Sequence, residues 1–159
     1  MTIPKKIFTI SDKKLNTSVE NHLRVFFEGW DFQSFTTDEI HEILMNDNYP
    51  NYSFLPYLFD NADENTKKNI FIVHTLYKYG GIYIEPNVFL LQKISKSMLQ
   101  FDAIFVKSNF FDDHTHIFQG FFATKPKNIL FLSLFDEFYN KFLSIQNFEN
   151  CVLQKNSRT

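Results

Sequence analysis

Cysteine, arginine and glycine are scarce in this chain, and long apolar runs are missing from it. The single cysteine among the 159 residues, Cys151, has no partner for an internal disulfide. That excludes a disulfide scaffold and makes a reducing compartment the simpler expectation. Arginine occurs only as Arg24 and Arg158, and Lys+Arg 16 against Asp+Glu 18 gives a formal net charge of -2. So even a balance argues against a dedicated nucleic-acid binder, which carries a basic domain. No apolar run approaches the ~18 residues that span a bilayer, so no transmembrane segment is expected. The opening residues, Met1 to Lys6, lack the apolar stretch of a cleaved secretory signal, and a cytoplasmic location is the default reading. No Gly/Ser-rich or Pro-rich linker and no repeat divides the chain. One domain is expected over residues 1–146, followed by a polar tail, 147–159, that frays.

What the chain does hold is a core. Hydrophobic residues make up 44% and charged residues 21%, close to the globular average and unlike a disordered chain. At this length roughly two thirds of the unfolded chain's surface can be buried. Phenylalanine reaches 21 and aromatics 18%, a bias that A/T-rich coding produces and that is too broad to be a set of ligand platforms. Against it stand only 4 glycines, so each is expected to serve a backbone need.

Patterning along the chain predicts alternating strands and helices. Ile3–Ile10 reads as a first strand. Ser18–Glu28 reads as an amphipathic helix, with Val19, Leu23 and Phe26 on one stripe. Trp30–Phe35 is a second strand, and Thr37 with Asp38 and Glu39 opens a second helix. Asn48–Tyr52 is turn-like. A helix from Asn65 or Thr66 presents Ile70, Val73, Leu76 and Tyr77, and Gly80-Gly81 closes it. Ile82–Ile84 then begins a strand that resumes at Val88–Leu91, with Glu85-Pro86-Asn87 between the halves. Further strands are expected at Ala103–Val106 and Phe118–Ala123, and a last helix from Asn128 to about Phe142. Such an order predicts an α/β sandwich with a mostly parallel central sheet and helices on both faces. In such sheets ligands sit beyond the carboxyl ends of the strands.

Glu85 and Asn87 are two apart at a strand end. Side by side, their oxygens can hold a hard divalent cation such as Mg²⁺ or Mn²⁺, or they simply flank a turn at Pro86. Asp112-Asp113-His114-Thr115-His116 is a dense ligand-capable cluster that is either a site or a solvated turn. Asp60 and Asp63 precede the long helix as turn or cap residues. Lys67 and Lys68 read either as cations for a phosphate or, more simply, as a solvated helix face. His22, His41 and His74 read as surface or partly buried, and Tyr83 as either a stacking platform or a core ring.

The run from Leu76 to Val88, LYKYGGIYIEPNV, resembles a signature of the DXD-motif sugar-binding glycosyltransferases, glycosyltransferase family 32 and its relatives. There a helix ends in L-Y-x-x-G-G and leads into I-Y-x-D-x-D-V. Ile3-Pro4-Lys5-Lys6-Ile7, Trp30, Tyr49-Pro50 and the segment from Gly120 to Asn128 resemble other family features in the same order, so the likeness spans about residues 3 to 140. It implies a GT-A fold, a Rossmann-like sheet that binds a nucleotide-sugar, and transfer of the sugar to an acceptor hydroxyl of a saccharide, protein or lipid. By the same likeness Glu85 and Asn87 take the two DXD places and hold Mn²⁺ or Mg²⁺. Gly80, Gly81 and Tyr83 are expected in the donor-binding segment. Transfer also needs a base for the acceptor, and apart from the likeness Asp112, Asp113 or a nearby His is the candidate for it. The family pattern is altered here in four places. Its DXD is Glu-Pro-Asn, the helical Asp and Arg are Asn69 and Ile72, a downstream Asn is Gln119, and the C-terminal segment that helps close the family's site is missing from this sequence. These changes leave open a non-catalytic binding module, or a subunit completed by a partner or a second copy.

Overall fold

The computed structural model describes residues 1–46, 53–108 and 116–156, with side chains described as far as residue 144. Strands β1 (Lys6–Ser11), β2 (Asp31–Thr36), β3 (Gly81–Ile84), β4 (Ala103–Lys107) and β5 (Ile117–Thr124) form one sheet in the order β2-β1-β3-β5-β4. Helices α1 (Thr17–Phe26), α2 (Thr37–Asn46), α3 (Leu55–Asn61), α4 (Glu64–Tyr79) and α5 (Ile129–Asn156) complete it.

The sheet is mixed rather than mostly parallel. β1 pairs in parallel with β2 and β3, whereas β5 is antiparallel to both β3 and β4. The cause is chain length. A parallel crossover needs a dozen or more residues, and only residues 108–116 separate β4 from β5, so that pair closes as a hairpin. The longer connections, through α1, through α2 to α4, and through residues 85–102 from β3 to β4, each return the chain in the same direction.

Alternation along the strands divides the core in two. Phe8, Ile10 and Tyr83 point to one face, where α2, α3, α4 and α5 cover them with Ile40, Leu58, Phe71 and Phe135. Ile7, Ile82, Ile84 and Ala123 point to the other, covered by Leu23 and Phe27 of the α1 segment and by Leu99 in a short 3-10 turn at Met98–Gln100. Helices therefore lie on both faces. β1 and β3 are apolar on both sides because both sides are covered.

Helix ends follow local chemistry. Thr36, the last residue of β2, stands immediately before α2: the Glu39 carboxylate accepts from its backbone N–H (2.7 Å) and its hydroxyl (3.0 Å), half of a capping box. Asp63 caps α4 by accepting from the Thr66 N–H (2.9 Å) and hydroxyl (2.8 Å). Gly80 closes α4 at φ 64°, its N–H donating to the Leu76 carbonyl (3.0 Å). Gly81 opens β3 at φ 103°, where an added Cβ would lie 2.7 Å from the Lys6 carbonyl oxygen. The last helix continues past residue 142 to Asn156.

The strand expected to resume at Val88–Leu91 is not formed. β3 ends at Ile84; the Glu85 N–H makes one more bond, to the Gly120 carbonyl (2.9 Å), and the Val88 N–H then donates to the Glu85 carbonyl (2.9 Å). That turn encloses Pro86, which has no N–H to continue a ladder. Gly120 lies inside β5, which runs unbroken from Ile117 to Thr124.

Candidate functional site

The chain leaves β1 for β2 on one side, then crosses back through α2, α3 and α4 to β3 on the other. The carboxyl ends of β1 and β3 thus diverge at the point where strand order reverses, which opens a crevice in sheets of this kind. A cleft of about 420 Å³ lies there. Ser11 and Asp12 enter it from the end of β1, Glu85, Pro86 and Asn87 from the end of β3, and Thr37 from the start of α2. The first turns of α4 supply Glu64, Asn65, Lys67 and Lys68.

Glu85 and Asn87 are therefore brought together at the cleft, as their spacing suggested. The Lys68 ammonium is ion-paired with the Glu85 carboxylate, both side chains being partly exposed. It also lies 5.8 Å from the centre of the Tyr83 ring. Lys67 pairs with Glu64 at 3.2 Å and lies 5.7 Å from the Phe59 ring. The two lysines thus form the cationic rim of the cleft rather than a purely solvated helix face. Asp12 does not stand out in sequence, whereas Lys68 does so only as one of a pair of helix lysines. The available signal was position, since Ser11-Asp12 follows an apolar strand directly.

The other expected site residues lie elsewhere. Gly80 and Gly81 sit at the amino end of β3, the opposite end from Glu85, and do not line the cleft; their role there is steric. Tyr83 is fully buried, with its ring 5.5 Å from Phe8 and 6.4 Å from Phe122, so neither face is open to a ligand. Burial, with Glu85 adding to it, raises the Tyr83 phenol far above its ordinary range, so it stays protonated. Asp60 pairs with His41 at 3.1 Å. His74 is fully buried and stacks on Phe71. Asp112 and Asp113 lie outside the described residues, as does the Tyr49-Pro50 pair.

A divalent cation is a poor match to this donor set. Mg²⁺ and Mn²⁺ favour several oxygen ligands, usually carboxylates with waters or phosphates. Glu85 and Asn87 bring one carboxylate, already held by an ammonium, and one neutral amide. Among the described residues no three His, Cys, Asp or Glu side chains converge as a metal centre.

The altered helical positions converge on a second feature. Asn69, Ile72 and Gln119 share a cavity of about 260 Å³ whose other walls include Phe105, Phe122 and Leu134. Where the family resemblance leads one to expect an Asp and an Arg, this cavity has an amide and an isoleucine that is 3% exposed.

Comparison with protein-family models, with curated proteins and with solved structures finds no match to this chain. Among the described residues no helix is long and apolar enough to cross a membrane.

Proposed function

We propose that this chain is a glycosyltransferase-like domain of GT-A type whose carboxyl-end cleft binds a nucleotide-sugar. One observation carries the reading: the Glu85-Pro86-Asn87 turn faces Ser11-Asp12 across the crevice between β1 and β3. That is where a parallel α/β segment exposes strand ends and helix starts to a ligand. Lys67 and Lys68 are suited to the oxygens of a diphosphate, with Lys68 exchanging Glu85 for the ligand. Asp12, Asn65 and Asn87 are suited to hydroxyls of a ribose or sugar.

Transfer to an acceptor hydroxyl is the activity that follows if a donor bound there is also cleaved. Mn²⁺ or Mg²⁺ on Glu85 and Asn87 is the assistance the family resemblance implies. The donor set fits it poorly, and no step is assigned to it. The decisive assay follows release of nucleoside diphosphate from UDP-sugars and GDP-sugars, with Mn²⁺ or with a chelator. Turnover that Glu85→Ala abolishes supports the proposal; unchanged turnover in that variant removes Glu85 from the site.

A second reading has its own support. The Lys68–Glu85 pair and the apolar setting of Ile72 favour a domain that binds a nucleotide without turning it over. Tight nucleotide binding with no release of product in any donor mixture would select it.

A further inference from the structure

The cavity of about 260 Å³ that holds Asn69 and Gln119 is a groove between α4 and α5, over β4 and β5. Its walls are open to a ligand: Phe105 is 40%, Leu134 41% and Leu130 53% exposed. Ile72 and Phe131, both buried, close its floor. Exposed apolar side chains gathered along one groove mark a binding surface. Asn69 and Gln119 are the polar members of the lining, and both are exposed. A few polar groups in an apolar site fix how a ligand lies in it.

Topology places the polar members at one end. α4 leads away from the cleft, and α5 runs beside it in the opposite direction. Asn128, just before α5, donates to the Asp102 carbonyl (3.0 Å) just before β4, whereas Lys141 donates to the Thr66 hydroxyl (2.7 Å) in the first turn of α4. Leu130 therefore lies at the end remote from the cleft. Asn69 directly follows Lys68 of the cleft. Gln119 precedes Gly120, whose carbonyl accepts from the Glu85 N–H (2.9 Å). The two amides thus stand beside the cleft, and the apolar walls lead away from it.

We propose that this groove seats the apolar tail of an amphiphilic hydroxyl compound, such as an alkyl glycoside, whose sugar head lies at Asn69 and Gln119 on the rim of the cleft. An amide both donates and accepts, which suits hydroxyls. Size agrees, since an apolar cavity of about 150 Å³ already accepts benzene. That this compound is the acceptor of the transfer rests on the nucleotide-sugar reading of the cleft; that it binds does not.

Methyl, butyl and hexyl β-D-glucoside, each below its micelle-forming concentration, are titrated against the whole chain and followed by amide chemical shifts. The hexyl compound should give saturable shifts at Asn69, Ile72, Phe122 and Leu134. Affinity should rise roughly two- to fourfold per methylene, fourfold being the worth of a fully buried one. Leu134→Glu, at an exposed helix position, should flatten that rise. Asn69→Ala should weaken the hexyl compound roughly fivefold and leave the rise intact. The alkyl series on the unaltered chain decides the matter even if a variant folds poorly. The proposal is overturned if methyl and hexyl glucoside bind alike, if the shifts do not saturate, or if Leu134→Glu leaves the rise intact. It is overturned too if diluting the free chain moves the same amides, because a second copy then fills the groove. A rising series with no binding of UDP or GDP would remove the acceptor role and keep the tail site. Nucleotide binding with a flat series would keep the cleft and remove the groove.

Discussion

Lys68 and Glu85 hold one another at the rim of the cleft, so removing either one reports on the other. If Lys68 is the cation that meets a diphosphate, Glu85→Gln frees it and nucleoside diphosphate binding strengthens in the presence of a chelator. Lys68→Met should then weaken binding about tenfold or more, the usual worth of a hydrogen bond to a charged group. Loss of binding in Glu85→Gln that appears only with Mn²⁺ would instead mark Glu85 as a metal ligand. Titration calorimetry of both variants separates the two. Stability should change by no more than about 1 kcal/mol, as for other partly exposed pairs. Asp63 gives a second test. Bonds from the Thr66 N–H and hydroxyl, aided by Lys141, hold its carboxyl below its ordinary range. A carboxylate depressed on folding contributes stability above its unfolded pKa and loses it as pH falls through the folded one. Asp63→Asn keeps an accepting oxygen and should flatten the loss of Tm below about pH 4. A Tm series in acid checks this, and an unchanged slope would remove Asp63 as its source. The cap could be read from the Asp-x-x-Thr spacing. The Lys68 pairing could not, because helical periodicity gives the face of a side chain and not the strand end that arrives opposite it.

At the scale of elements, α4 and β3 set the position of everything in the cleft. From Ile70 to Leu76 every residue of α4 is buried, so the helix is enclosed on all sides and not amphipathic in the usual way. That is why His74, which reads as surface or partly buried in a helical pattern, is fully interior. The Gly80-Gly81 pair then passes α4 directly into β3 beside β1. Gly81→Ala would set a Cβ against the Lys6 carbonyl at a φ that side chains rarely adopt. It should destabilise the fold by roughly 2 kcal/mol or more, measured by denaturant unfolding. Nucleotide affinity of the folded fraction should not change, because the glycines lie at the far end of the strand from Glu85. A selective loss of affinity with normal stability would contradict that division. The helix, its glycine cap and the start of β3 were legible because each has a local signature. The end of β3 was not, since Val88–Leu91 has the β-branched and aromatic content of a strand and only the turn at Pro86 decides otherwise.

For the molecule as a whole, the two parallel crossovers create the crevice, and they were legible from the order of elements. The reversed β5 was not, although the short run between β4 and β5 contained the signal. The cleft itself depends on long-range pairing of β1 with β3, which no local pattern states; the family resemblance pointed to its β3 side through Glu85 and Asn87 and gave no sign of Asp12 or Lys68. The central claim is that this crevice receives a nucleoside diphosphate. The most direct test is amide chemical-shift mapping of the whole chain with UDP and then GDP, each with a chelator and with Mg²⁺. The account predicts saturable shifts for one nucleotide at Ser11, Asp12, Asn65, Lys68, Glu85 and Asn87, weakened in Lys68→Met. Shifts that fall away from the ends of β1 and β3, or no saturable shift with either nucleotide, would contradict it.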